Sequence, residues 1–135
     1  MLSVKEIVKS RLKQALTQDA DAPYTEETLH MTSMRTGVPT EFPALNVDSI
    51  GETSTGEDLE RTQQNAIIST VELKAYTETA VEEACEILDA AGDVMIAMGY
   101  SIIHGPEDVS DTRHIMLARF RRTFGDEDIK NLGGN

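Results

Sequence analysis

An alternation of apolar and polar side chains over residues 65–77 constrains the fold more than any other feature of this sequence. The apolar members fall on one face of an extended chain: Ile67, Val71, Leu73 and Ala75. The polar members fall on the other face: Thr70, Glu72, Lys74 and Tyr76. Because successive side chains of a β-strand point to opposite sides, the pattern predicts a strand with one buried face and one face in water.

The next segment, residues 78–98, has a helical period instead. Its apolar residues recur at steps of three and four: Val81, Ala84, Cys85, Leu88, Ala91, Met95 and Met98. Acidic residues fall opposite that stripe: Glu82, Glu83, Glu86, Asp89 and Asp93. Gly99 follows at the position where a glycine commonly ends a helix. The sequence therefore predicts an amphipathic helix here.

A second helix is predicted at the N-terminus, over residues 3–18. Ser3 and Glu6 have the spacing of a capping box, in which each side chain binds a backbone N–H of the first turn. Apolar residues follow at helical spacing: Val4, Ile7, Val8, Leu12, Ala15 and Leu16. The pattern indicates one apolar face that packs on the rest of the domain.

Three further strands are predicted at residues 42–48, 100–104 and 113–124. Residues 19–41 contain several helix and strand breakers, so we expect them to be mostly irregular, with at most one helical turn or a short strand. Residues 49–64 form a long polar stretch with two glycines. Polar loops of this length in small domains are commonly functional or disordered.

These elements predict one α+β domain over residues 1–125. The simplest arrangement of these elements is a four-stranded, mixed or mainly antiparallel sheet with both helices on one face. The flexible loop 49–64 would then join the first and second strands. Residues 126–135 would be a flexible tail.

The charge of the chain limits its partners. Twenty-four acidic residues face twelve basic ones, which gives a formal net charge of −12 and a pI near 4.5. Such a surface repels nucleic acid, which argues against groove binding but allows a wall that DNA passes without sticking. The single cysteine and the lack of a long apolar stretch indicate a protein made in a reducing cytoplasm, with no membrane segment.

No arrangement of residues indicates catalysis. The three histidines, His30, His104 and His114, do not have the spacing of a metal site. Cys85 lies within an apolar stripe, whereas a reactive thiol needs an accessible, electropositive setting. We therefore expect no enzyme activity, no metal and no cofactor.

Two features indicate association with other proteins. The first is a division of charge along the chain. Residues 1–18 carry four basic groups and one acid: Lys5, Lys9, Arg11, Lys13 and Glu6. Residues 75–112 carry nine acids and no basic group: Glu78, Glu82, Glu83, Glu86, Asp89, Asp93, Glu107, Asp108 and Asp111. In a ring of identical subunits, the basic side of one copy could face the acidic side of the next; the alternative is a chance distribution.

The second feature is the last predicted strand, in which arginines and apolar residues share one face. The candidate interface residues are Arg113, Ile115, Leu117, Arg119 and Arg121, with Arg122 beside them. Arginine among apolar residues is typical of a protein–protein contact. The alternative is an edge strand whose charges protect it from aggregation.

The order of several short motifs resembles the tail-terminator (tail-completion) family of long-tailed bacteriophages. Residues 42–47 read Phe-Pro-Ala-Leu-Asn-Val, a strand ends in Ala-Tyr-Thr at 75–77, and residues 98–100 read Met-Gly-Tyr. Residues 114–122 close the pattern with His-Ile-Met-Leu-Ala-Arg-Phe-Arg-Arg. The resemblance covers roughly residues 3–125, and residues 19–41 are longer than the family pattern needs.

The resemblance implies a virion protein of the head–tail interface, made in the cytoplasm of a bacterial host. Members of this family form a hexameric ring on the last ring of tail-tube protein, which stops tail polymerisation. The ring then docks on the head–tail connector or stopper, and DNA passes through its lumen without specific binding. An alternative, from the composition, is a cytosolic acidic module that binds a protein or a ligand; a third is an acidic mimic of DNA.

The polar stretch 49–64 is the segment that we expect to contact the tube or the connector, and to become ordered only on assembly. Its candidate docking residues are Ile50, Glu52, Glu57, Asp58, Leu59 and Arg61.

Overall fold

The computed structural model describes residues 4–35, 37–55 and 66–124, and it contains two helices and five strands there. In chain order these are α1 (Val4–Lys13), β1 (His30–Thr32), β2 (Ala44–Thr55), β3 (Ala66–Thr77), α2 (Val81–Ala97), β4 (Ser101–Asp108) and β5 (His114–Phe124). A π-helical turn, Gln14–Gln18, continues α1. The predicted α+β class and both predicted helices are confirmed.

The strands form one mixed sheet in the order β1-β2-β3-β5-β4. β1 runs parallel to β2, and every other neighbouring pair is antiparallel. The sheet therefore has five strands rather than the predicted four. The additional strand, β1, comes from residues 19–41, where it is held at the edge by the Asn46 side chain: its Oδ1 accepts from Thr32 Oγ1 and Met34 N, each at 2.7 Å.

Both helices pack on the same face of the sheet, as predicted. α1 lies over β2 and β3, and α2 lies over β3 and β5 and also touches β4. The apolar stripes of the two helices meet the apolar face of the sheet in one core, which includes Leu12, Leu88, Met95, Leu73 and Phe120. The register explains the match, because Leu73 lies opposite Val47 on β2 and Ala118 on β5.

The prediction of a loop beginning at residue 49 is wrong, because β2 continues to Thr55. Its polar second half pairs with β3, with Glu52 opposite Ser69 and Thr55 opposite Ala66. A change of register between Ser49 and Gly51 leaves Ile50 without a pairing partner. The strand forms despite its composition because β3 supplies its backbone partners, a tertiary effect that overrides weak strand propensity. Residues 56–65 and the tail from 125 lie outside the described residues.

β4 is also longer than predicted and forms one edge of the sheet. It runs through Gly105 and Pro106, which lie beyond the predicted end of the strand at residue 104. An edge strand tolerates a proline because its outward positions need no backbone donor. The pairing with β5 changes register twice, between Ile102 and His104 and between His104 and Glu107, so β4 is irregular.

The C-terminal end of α2 is fixed by one arginine. Gly99 has φ +90°, the left-handed conformation that ends many helices. The guanidinium of Arg122 donates to the carbonyl oxygen of Met98 and lies 4.2 Å from the centre of the Phe124 ring. Tyr100 packs edge-on against Phe124 and its hydroxyl lies 2.9 Å from Ser69 Oγ. The helix end, β3 and β5 are thereby joined.

We expect Gly99→Ala to lower the free energy of unfolding by about 1–3 kcal/mol, because alanine is strained at this φ and its Cβ would displace Arg122. An added Cβ would lie 2.8 Å from Arg122 Nη1. Gly37→Ala is the matched control, since Gly37 has φ +92° and nothing lies within 4 Å of its added Cβ. Urea unfolding of both variants measures the difference; equal losses would contradict the role of Arg122 at the helix end.

Candidate interaction surfaces

The face of the sheet opposite the helices carries most of the residues predicted to form an interface. Cross-strand pairs place Ile115 opposite Tyr76 and Leu117 opposite Lys74. Arg119 lies opposite Glu72, and Arg121 lies opposite Thr70. The four predicted residues of β5 therefore share one face, which we call the open face because neither helix covers it.

The charges of the open face are paired within the chain. Arg119 Nε lies 2.9 Å from Glu72 Oε2. Arg121 Nε donates to Thr70 Oγ1 at 3.2 Å. Just before β5, Arg113 Nη1 lies 3.4 Å from Asp111 Oδ2. These arginines are held by neighbours in their own subunit, so a partner would have to compete for them.

A buried carboxylate explains much of this pairing. Asp48 lies directly opposite Glu72 on the open face, and like charges in that position destabilise a sheet. Arg35 Nε lies 3.4 Å from Asp48 Oδ2 and Arg119 lies beside Glu72, so each carboxylate has a cation at its outer side. The four side chains form a row across three strands and the segment that follows β1.

The apolar members of the predicted interface are not available as exposed surface. Ile115 is 7% exposed and Leu117 is 6% exposed. Ile115 packs with Ala44, Tyr76 and Phe42 in a small second core on the open face. Neighbouring side chains therefore cover the two aliphatic residues, and a role of Ile115 and Leu117 in a subunit interface stays a prediction.

Arg122 lies on the opposite side of β5 from the other candidates. It pairs with Ser69, on the helix-covered face, and its guanidinium holds the end of α2. Its place in the structure is that of a packing residue. A role in subunit contact for Arg113, Arg119 and Arg121 stays a prediction.

The predicted docking residues separate into two groups. Ile50 lies at the bulge of β2 and is 40% exposed. Glu52 lies within the same strand, paired through its backbone with Ser69. Glu57, Asp58, Leu59 and Arg61 lie outside the described residues. Contact of this segment with a tube or connector stays a prediction.

The exposed aliphatic surface lies instead along β4, where every residue is exposed. Ile102 is 46% exposed and Ile103 is 44% exposed. Nearby on the chain, Ile96 of α2 is 59% exposed and Val109 is 36% exposed. The sequence analysis placed a strand here but assigned it no function. Ile102 borders the groove beside α2, whereas Ile103 lies at the change of register between Ile102 and His104.

A groove of about 450 Å³ separates α2 from β4. Ala118 and Phe120 of β5 are among its lining residues, and both are almost fully buried. The walls contain Leu88, Gly92 and Ile96 of α2 and Ile102 and Pro106 of β4, together with Asp89 and Asp93. The groove thus has apolar walls with carboxylates beside them, and Ile96 and Ile102 belong to the exposed surface described above.

A second groove, of about 590 Å³, lies between α1 and α2. It has a mixed lining with one cation, Arg11 of α1, and two acids, Asp19 and Asp93. Asp93 therefore borders both grooves.

Among the described residues, no group of three or more His, Cys, Asp or Glu could hold a metal ion. Burial raises the pKa of the Cys85 thiol, and the nearby Asp89 and Glu82 raise it further. The thiol is therefore protonated at neutral pH, which is unfavourable for a nucleophile. No helix in the described part of the chain is long and apolar enough to cross a membrane.

Comparisons with known proteins give no family. No protein-family model matches the chain, and no curated protein matches its sequence.

The location of the exposed aliphatic surface is testable by charge substitution. We expect Ile103→Lys to change the free energy of unfolding by less than about 0.5 kcal/mol, because its side chain is already largely in water. Leu117→Lys should lower it by about 3 kcal/mol or more, since a buried charge would lack a partner. Chemical unfolding followed by circular dichroism measures both; equal losses would place the exposed surface elsewhere.

Proposed function

We propose that this protein is a non-enzymatic structural subunit that assembles with copies of itself into a ring. The observation that supports this most is the pair of exposed aliphatic residues that border the groove between α2 and β4, Ile96 and Ile102. Exposed apolar residues grouped on a small domain are characteristic of an interaction site. Covering them would stabilise an assembly by roughly 25 cal/mol for each Å² removed from water.

The phage-tail part of the proposal rests on the sequence resemblance to tail terminators. Two of its motifs occur at boundaries of elements, Phe42-Pro43 directly before β2 and Gly99-Tyr100 between α2 and β4, and a third, Arg119 to Arg121, lies within β5. On this proposal the ring is a hexamer at the head-proximal end of the tail. It ends tail-tube polymerisation and joins the tube to the head connector, so the protein belongs to the virion.

The charge of the chain fits a ring through which DNA passes. A net charge of −12 disfavours retention of a polyanion, so DNA would cross the lumen without being held. Specific recognition of DNA plays no part in the proposed function.

A second candidate function is an acidic binding module that acts as a monomer or dimer. The groove between α2 and β4 favours it, because apolar walls with a few polar groups are typical of ligand and peptide sites. The two functions differ in what fills the groove, a copy of the chain or a different molecule.

The proposal predicts concentration-dependent assembly. We expect sedimentation velocity to show a larger species as concentration rises, and electron microscopy to show rings with a central opening. If the protein remains a monomer alone, it should form rings at the ends of tubes polymerised from the tail-tube protein encoded nearest to it. Tubes grown in its presence should be shorter and more uniform than tubes grown without it.

The contrary result is a protein that stays monomeric at all concentrations, with and without tubes, and leaves tube length unchanged. Saturable binding of a small molecule or peptide, in the absence of any assembly, would favour the binding module instead.

A further inference from the structure

We infer that copies of this chain meet head to tail, with the lysines of α1 in one copy against the acidic side of α2 and β4 in the next. The inference rests on the proposed assembly of identical subunits and adds which two surfaces meet. It is carried by the positions and signs of the charges at the two ends of the helix layer.

The two helices occupy opposite ends of one layer. α1 lies over β2 and β3, towards the β1 edge of the sheet, whereas α2 lies over β3 and β5 and reaches β4 at the other edge. A surface at each end is therefore available to a different neighbour, which is the requirement for a head-to-tail arrangement.

The end formed by α1 carries a lysine flank, made of Lys5, Lys9 and Lys13. Residues four apart lie on one side of a helix, so the three lysines form a line. Lys13 borders a depression lined by His30 and Met31 of β1, which shows that this flank faces the β1 edge. Arg11 faces the other way, into the groove between the helices.

The end formed by α2 and β4 carries an acidic flank, made of Glu82, Glu86, Asp89, Asp93 and Asp108. All five side chains are exposed. Burial raises the pKa of the Cys85 thiol, and Asp89, Glu82, Asp108 and Glu86 raise it further, so four of the five carboxylates lie near that side chain. Within the described parts of the chain, no member of either flank forms an ion pair, although Glu26 and Glu41 line the depression beside Lys13 and Arg11 lines a groove with Asp93.

The signs of the charges select the arrangement. A two-fold contact of β4 with β4 would bring two acidic flanks together, and like charges across an interface are strongly unfavourable. A head-to-tail contact instead brings the lysine flank to the acidic flank. Each subunit then uses both of its flanks, and repetition of the same contact closes a ring if the rotation between neighbours allows it.

The exposed aliphatic residues fit the same contact. Lysine side chains lay their methylene stems along apolar surface while the ammonium group reaches a carboxylate. Ile96 and Ile102 lie beside Asp89 and Asp93 around the groove between α2 and β4. The methylene stems of the incoming lysines would pack on the isoleucines, and their ammonium groups would reach the carboxylates.

The contact is one of side chains rather than an extension of the sheet. Two changes of register and Pro106 interrupt β4, and such irregularities keep an edge strand from pairing with another strand. The acidic flank and the groove remain as the surface through which β4 and α2 meet a neighbour.

Charge reversal of one flank at a time tests the contact. One variant carries Asp89→Lys and Asp93→Lys, and the other carries Lys5→Glu and Lys9→Glu. We expect each variant alone to associate about 100-fold more weakly than the unmodified protein, because like charges then meet at every contact. An equimolar mixture of the two should recover assembly, since every contact between unlike variants again joins opposite charges.

A matched control carries Asp21→Lys and Glu78→Lys, which changes the net charge as the first variant does. Asp21 and Glu78 are exposed, and neither lines the depression beside Lys13 or the groove between α2 and β4. This control should associate like the unmodified protein. Circular dichroism melting curves establish that all variants are folded, and sedimentation velocity measures their association, on tail tubes if assembly needs them.

Each outcome is decisive. If the lysine-flank variant associates normally, or if the mixture does not recover, the head-to-tail contact is wrong while the proposed ring stands. If both single-flank variants assemble normally, the head-to-tail contact is likewise wrong while the proposed ring stands. If the unmodified protein never assembles, with or without tubes, both the proposed ring and the head-to-tail contact are wrong.

Discussion

The antiparallel pairing of β3 with β5 is the interaction on which the rest of the structure depends. It extends from Ile67 opposite Phe124 to Thr77 opposite His114. On one side it aligns Val71 with Phe120, which gives α2 an apolar floor. On the other it aligns Glu72 with Arg119, which gives the open face its ion pair. A slip of one residue would exchange the two faces and bury the charges.

The same pairing decides where the molecule can meet others. Because the arginines of β5 are satisfied by β3 and its aliphatic residues are covered, the open face offers mostly paired charges. Among the described strands, β4 pairs with β5 alone, and Ile102 and Ile103 are left exposed. The helix layer above the sheet has opposite charge at its two ends. Exposed apolar surface and unpaired charge thus coincide at the end formed by α2 and β4.

The sequence was sufficient for the elements whose patterns have a clear period. The alternation of residues 70–76 predicted β3, and the stripe from Val81 to Met98 predicted α2 and its end at Gly99. It failed where tertiary pairing overrides composition. The polar run from Ser49 to Thr55 became strand because β3 lies beside it, and β1 formed because Asn46 binds its neighbours.

The burial of the candidate interface residues could not be predicted from the sequence, for a physical reason. A one-dimensional pattern shows which residues share a face but not what covers that face. It grouped Leu117 with the arginines of a candidate interface, and the structure adds that Leu117 lies opposite Lys74 and is almost fully buried. It gave no role to Ile102, because the position of β4 at the sheet edge depends on the strand order. The division of charge between α1 and α2, by contrast, was visible in the sequence, and the structure adds that the two helices lie at opposite ends of one layer.

Zero-length cross-linking of carboxylates to lysines tests the central claim most directly. A mixture of isotopically heavy and light protein would be assembled, treated with a carbodiimide, digested and analysed by mass spectrometry. The account predicts heavy–light cross-links that join Lys5, Lys9 or Lys13 of one copy to Asp89, Asp93 or Glu86 of another. Assembled protein whose heavy–light cross-links join other surfaces, and never these, would contradict it.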